Sequence, residues 1–238
     1  MMAAQEASRM GNDRERRTAA RIAGLMFLVL GALAAFTEFV IRSKLIVPGD
    51  PSQTARHLLA AERTFRTGIA IDLVGGAANA LLAVALYVLL KSINGPVALL
   101  ALCWRLGEAI ILGHMGLNSL VAVDVLHASN SASAFTADQW IALSDVFLQA
   151  QGDEFSVGLV FYALGSTLFC YLLARSSFLP RLVSWWGLLG SVLALGGTLA
   201  IISIPESSGI APGIYVPVGL FEIVAGFWLL IRVDRPPR

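Results

Sequence analysis

The sequence has little charge, few histidines and almost no cysteine. Asp, Glu, Lys and Arg make up 14% of its 238 residues, against about 25% in soluble domains. That scarcity argues against a water-soluble globular fold. Basic and acidic residues nearly cancel, leaving a formal net charge of +1. There is no basic excess to grip a nucleic-acid backbone, so no nucleic-acid partner is expected. Two cysteines exclude a disulfide scaffold and a cysteine-rich zinc module. Cys103 and Cys170 are read as core residues without a disulfide.

What is present in excess is apolar: 57% of residues are hydrophobic and the mean hydropathy is +0.74. A bilayer core needs roughly 20 apolar residues per helix. Six stretches qualify: residues 20–41, 65–90, 97–125, 155–174, 182–204 and 213–231. The pattern predicts an all-α, six-helix transmembrane bundle occupying residues 19–233. Residues 1–18 are expected to form a disordered basic tail, and residues 234–238 a short second tail. A cleaved signal peptide is the rival reading of the first span, because Ala32-Leu33-Ala34 resembles a cleavage site. The apolar run continues through Phe36, Phe39, Val40 and Ile41, which favours a span.

Basic residues set the expected orientation. Arg9, Arg14, Arg16, Arg17 and Arg21 precede the first span. Lys91, Arg175, Arg181, Arg232, Arg235 and Arg238 fall on the same side if there are six spans. Loops 126–154 and 205–212 contain no Lys or Arg. The loop 42–64 is the exception, with Arg42, Lys44, Arg56 and Arg63. Both termini are expected in the cytoplasm.

Two short surface helices are expected in the outer loops. Asp50-Pro51-Ser52-Gln53 reads as a capped start, opening a helix over 52–63. Thr136-Ala137-Asp138-Gln139 is a capping-box pattern leading into WIALSDVFLQAQ, with Trp140 as an interface anchor.

Several phrases together carry a family likeness: ARIAG, IRSKLIVPGD, FRTGIAIDL, WRLGEAIILG, GLVFYALG and YLLARSSFLPRLVSWWGLLG. They resemble the bacterial multipass membrane proteins of domain-of-unknown-function family 4386, over residues 18–228. The resemblance implies a helical membrane domain and brings no activity, cofactor or ligand.

Polar residues inside the spans are then the informative ones. An ionised side chain at a helix centre costs about 2.5–3.5 kcal/mol on insertion scales, so such residues usually face the interior and pair. Arg105 and Glu108, three apart, share a helix face and are expected to form an ion pair. Asp72 and Asn79, seven apart, lie on one stripe with Gly68, Gly75 and Gly76. Arg105 is the expected partner of Asp72, and Arg66 the weaker alternative. Glu38 and Arg42 are four apart at the outer end of span one. Glu222 has no local partner and is assigned either to Arg105 or to a protonated state. Glu38, Arg66, Asp72, His114, Asn118, Asp153 and Glu154 map to the outer half, which suggests one outward-facing polar cavity. Spans five and six look like scaffold or an oligomer face. The glycine-rich segments AGLMFLVLGALA and LVGGAANALLA are read as helix-packing surfaces.

Catalytic and metal signatures fail. The histidines His57, His114 and His127 are scattered, and no HExxH occurs. No nucleophile elbow, phosphate loop or dinucleotide fingerprint is present, so no cofactor is expected. The leading functional expectation is binding or translocation of a small ion, lipid head group or amphiphile, at Asp72, Arg105, Glu108, Arg66, Glu38, Asn118 and Asn79. An intramembrane enzyme would use Asp72 or Glu108 as acid–base, with Arg66 or Arg105 stabilising an anion. A structural subunit would use the same charges only to lock helices. The expected partners are the lipid bilayer, a small-molecule or lipid ligand, and a second copy of the chain.

Overall fold

The computed structural model describes residues 2–129, 135–204 and 211–232. They form α1 (Met2–Phe36), a π-helical segment (Thr37–Arg42), α2 (Ser43–Leu45), α3 (Pro51–Ala60), α4 (Glu62–Leu90), α5 (Gly95–Ala128), α6 (Ala137–Ala174), α7 (Arg181–Ser203) and α8 (Ala211–Arg232). The chain is all-α, and six of its helices are long and apolar enough to cross a membrane. The basic segment expected as a disordered tail is instead helical from Met2. Its Ala, Gln, Glu, Met and Arg content favours that state.

Both predicted helix starts are made by the residues that announced them. Asp50 caps α3, its Oδ1 accepting from the Gln53 N–H at 2.8 Å, with Pro51 in the first turn. Thr136 and Gln139 exchange bonds: the Thr136 N–H reaches Gln139 Oε1 at 2.9 Å, and the Gln139 N–H reaches Thr136 Oγ1 at 3.3 Å. The second start, however, does not open a separate surface helix. The α6 helix runs unbroken for 38 residues, roughly 57 Å at 1.5 Å per residue. That exceeds the ~30 Å hydrocarbon thickness, so the expected surface helix is the first part of a spanning helix. Gly152 and Gly158 each cost about 1 kcal/mol of helix propensity, too little to break it without proline.

The chain divides into two compact units. Unit 1 comprises Met1–Gly31, Ala78–Glu108 and Leu159–Arg238; unit 2 comprises Ala32–Ala77 and Ala109–Gly158. In unit 1 the core is built around Leu82, Leu86, Leu89, Leu172, Phe221 and Leu229. Lipid supplies no hydrophobic drive for helix association, so close backbone approach decides it. The α1–α8 crossing shows this: a Cβ on Gly24 would lie 2.7 Å from the Gly226 carbonyl oxygen. Against α7, the ring of Phe221 fills the space over Gly187, where a Cβ would sit 2.5 Å away. Thus α7 and α8 are packed together by glycine. Gly31 and Gly75 differ from the expected packing role: an added Cβ there meets nothing within 4 Å.

In unit 2, Leu58 of α3, Phe65 and Ile69 of α4, and Val123 and Leu126 of α5 form the core. Ser144 of α6 donates to the Ala122 carbonyl at 2.8 Å. Thr54 of α3 accepts from the Val47 N–H at 2.9 Å, tying the loop to its helix.

Candidate functional site

The most buried charge lies in unit 1. Arg105 of α5 is 3% exposed and Glu108, one turn on, 8%. Arg105 Nη1 lies 3.1 Å from Glu108 Oε2, the i,i+3 pair expected from spacing. Around the guanidinium, three other elements contribute. Nη2 donates to Asn79 Oδ1 of α4 at 2.5 Å, and Nη1 to Ser166 Oγ of α6 at 3.4 Å. The guanidinium also stands over the Tyr162 ring of α6, 4.7 Å from its centroid. The Tyr162 hydroxyl donates to Glu222 Oε1 of α8 at 2.8 Å. Thus one arginine gathers two acids, Glu108 directly and Glu222 through a tyrosine.

Glycine makes the room. A Cβ on Gly165 would lie 2.7 Å from Arg105 Cγ and 3.1 Å from the Ala101 carbonyl oxygen, so the arginine stem passes where any other residue would put a methylene. The site is nearly closed. The void lined by Arg105, Ser166, Cys170 and Glu222 measures about 10 Å³, room for about one water. Two buried polar atoms in the cluster, Asn79 Nδ2 and Glu108 Oε2, meet no hydrogen-bond partner in good geometry among the described residues, although their side chains adjoin one another. The Glu108 oxygen is near the guanidinium in charge but not aligned with one of its N–H groups. In native structures such atoms are few and call for an explanation.

A second cluster lies in unit 2. Arg42, the last residue of the π-helical segment, donates through Nη2 to Asp72 Oδ2 at 2.5 Å. Arg42 and not Arg105 is therefore the partner of Asp72. The expectation failed because i,i+4 counting found only the same-helix neighbour of Arg42, Glu38, which is 3.9 Å away and largely solvent-exposed. Single π turns occur often at functional sites. Here the Thr37 hydroxyl donates to the carbonyls of Leu33 and Ala34 at 3.1 and 3.2 Å. A void of about 10 Å³, lined by Thr37, Arg42, Asp72 and Ser119 among others, adjoins the pair.

The remaining residues expected in the outer half do not join either cluster. Arg66 is bound to Glu62 at 2.7 Å and to Asp124 at 2.9 Å, so it is not beside Asp72. His127 meets Glu62 at 2.8 Å. His114 contacts Glu154. Asn118 is half-buried, and Asp153 exposed. Of the seven residues expected in one outward cavity, five are distributed among three separate contacts, and Asn118 and Asp153 are in none of these. Cys103 is exposed, not in the core; Cys170 is buried, 3.8 Å from Ser191 Oγ. Sequence reasoning missed Tyr162, Gly165 and Ser166. All three lie on the α6 segment VFYALGST, which supplies the wall facing Arg105.

Six helices long and apolar enough to cross a membrane, with acidic and basic side chains buried between them, define a polytopic helical membrane protein. Residues 22–232 match the family model described as Domain of unknown function (DUF4386), and the chain belongs to that family. No curated protein and no solved structure matches it.

Proposed function

We propose that this protein binds a small positive ion, a proton in the simplest case, in the Arg105 cluster of unit 1. The observation that carries the reading is a charge count. Arg105 contributes one positive charge, while Glu108 and Glu222 contribute two negative ones when ionised; Tyr162 and Cys170, the other titratable groups facing the cluster, are neutral as hydroxyl and thiol. An unbalanced charge in a dry site is costly, so the cluster has one vacancy for positive charge. The adjoining void of about 10 Å³ suits a proton or one small ion and is too small for a lipid head group or amphiphile. Of the two acids, Glu222 lines that void.

A structural reading competes, because Arg105 also ties α5 to α4 and α6. Melting in detergent separates the two. A ligand that binds only the folded state stabilises it by mass action. The wild-type protein should therefore melt higher as pH falls or as Na⁺ or K⁺ is added. Glu222→Gln should fold and lose that dependence. If wild type and Glu222→Gln respond alike, the cluster is a helix lock and the ion-binding reading fails.

The basic segments favour an inner-membrane protein with both termini cytoplasmic. With Cys103 replaced by serine, Ser52→Cys should label from outside and Ser177→Cys only after the membrane is opened. Ser131 and Ser207, in the two loops without Lys or Arg, lie outside the described residues. The reverse labelling pattern overturns this orientation.

A further inference from the structure

We infer that unit 1 carries a binding site for one anionic phospholipid, in the groove between α1 and the second half of α4. The groove measures about 480 Å³, within the 300–1,000 Å³ range of ligand sites, whereas the two buried voids hold about one water each. Its two ends differ chemically. Arg14 and Thr18 stand at one end; Ile22, Leu81, Val84 and Val88 form the apolar remainder. Arg14, Thr18 and Ile22 recur at helical spacing on α1, and Leu81, Val84 and Val88 on α4, so each helix presents one face to the groove. Leu81 and Val84 are 46% and 44% exposed, leaving apolar surface for a chain to cover.

The depth of the groove is fixed by an ion pair. Lys91 Nζ, just past the end of α4, meets Glu15 Oε1 at 3.1 Å. That contact puts Arg14 level with the end of the apolar part of α4, where lipid head groups lie. The apolar walls continue from there into the span, at acyl-chain depth. Charge then selects the lipid. Glu15 is neutralised by Lys91, and among the described residues no carboxylate pairs with Arg14. The mouth therefore carries one unbalanced positive charge, complementary to a phosphodiester whose head group adds no positive charge of its own. A zwitterionic lipid would bring its own cation against Arg14.

The test uses the full chain purified in detergent, with phosphatidylglycerol and phosphatidylcholine as probes and retained lipid measured by native mass spectrometry. Wild type should retain one phosphatidylglycerol in preference to phosphatidylcholine. Arg14→Gln should reduce that preference about fivefold, the equivalent of about 1 kcal/mol per arginine near an anionic surface. Val84→Trp, which fills the groove, should reduce retention of both lipids. No preference in wild type overturns the proposal. So does a preference that survives both variants, because the selectivity then arises elsewhere. If Val84→Trp changes the oligomeric state and leaves retention unchanged, the groove is an interface between copies and the lipid site is wrong.

Discussion

The two arginine clusters solve the same problem differently. In unit 2, Arg42 meets a single close acid, Asp72, with side chains 21% and 18% exposed; a second acid, Glu38, stands at the rim in solvent. One cation there also meets two acids, but the second is largely exposed and the close pair is itself only partly buried. In unit 1, Arg105 and Glu108 are almost fully buried. Neutral groups (an amide, a hydroxyl and an aromatic face) complete the guanidinium's surroundings, while a second acid waits behind Tyr162. A partly exposed pair is adequate as a clasp between α4 and the end of span one. A dry cluster with an extra acid leaves a charge to be supplied, which is why the ion-binding proposal rests on unit 1.

That contrast can be broken most directly at Arg105. Arg105→Ala leaves buried acids unpaired and should lower unfolding stability by about 3–5 kcal/mol, the range for breaking a buried ion pair. Adding Glu108→Ala should recover part of the loss. Chemical unfolding in detergent measures both, and purely additive losses would show that the two groups do not interact. A smaller effect is expected from Gly165→Ala, which drives a methyl into the arginine stem and the α5 backbone. Overpacking of this kind costs about 1–3 kcal/mol. The melt of this variant should fall with the composition of the charge cluster unchanged. An unshifted melt would mean that α6 can retreat freely from α5.

In unit 2, Asp72→Asn keeps the size and an acceptor for Arg42 while removing a charge. It should cost less than the roughly 3–5 kcal/mol of breaking a fully buried pair, because the pair is partly exposed and Arg42 keeps Glu38 nearby. A loss as large as that of Arg105→Ala would erase the distinction between the clusters. The weakest effect belongs to Arg66→Gln. Its bonds to Glu62 and Asp124 are exposed, so any change in melting should be near the scatter of the measurement. It should shrink further in high salt, since exposed charges are screened. A salt-insensitive loss would mean that this network is shielded from solvent.

The sequence by itself determined the class of the protein. Six apolar runs, each long enough for a bilayer, leave helix as the only way to satisfy the backbone without water. It also determined contacts made within one helix or one turn: the Asp50 cap, the reciprocal Thr136–Gln139 box, and the Arg105–Glu108 pair, since helical periodicity alone sets those neighbours. It placed Asn79 on an inward stripe, and Asn79 is indeed buried against Arg105. Tertiary structure decided everything that crosses between helices. Asp72 pairs with Arg42 and not Arg105, and Arg66 turns to Asp124, 58 positions away. Tyr162 carries Arg105 to Glu222, and Gly165, unremarkable in sequence, clears the arginine's path. Periodicity fixes the face on which a residue stands. It does not fix the rotation and height of the neighbouring helix, and in a membrane those are set by where small residues let two backbones approach.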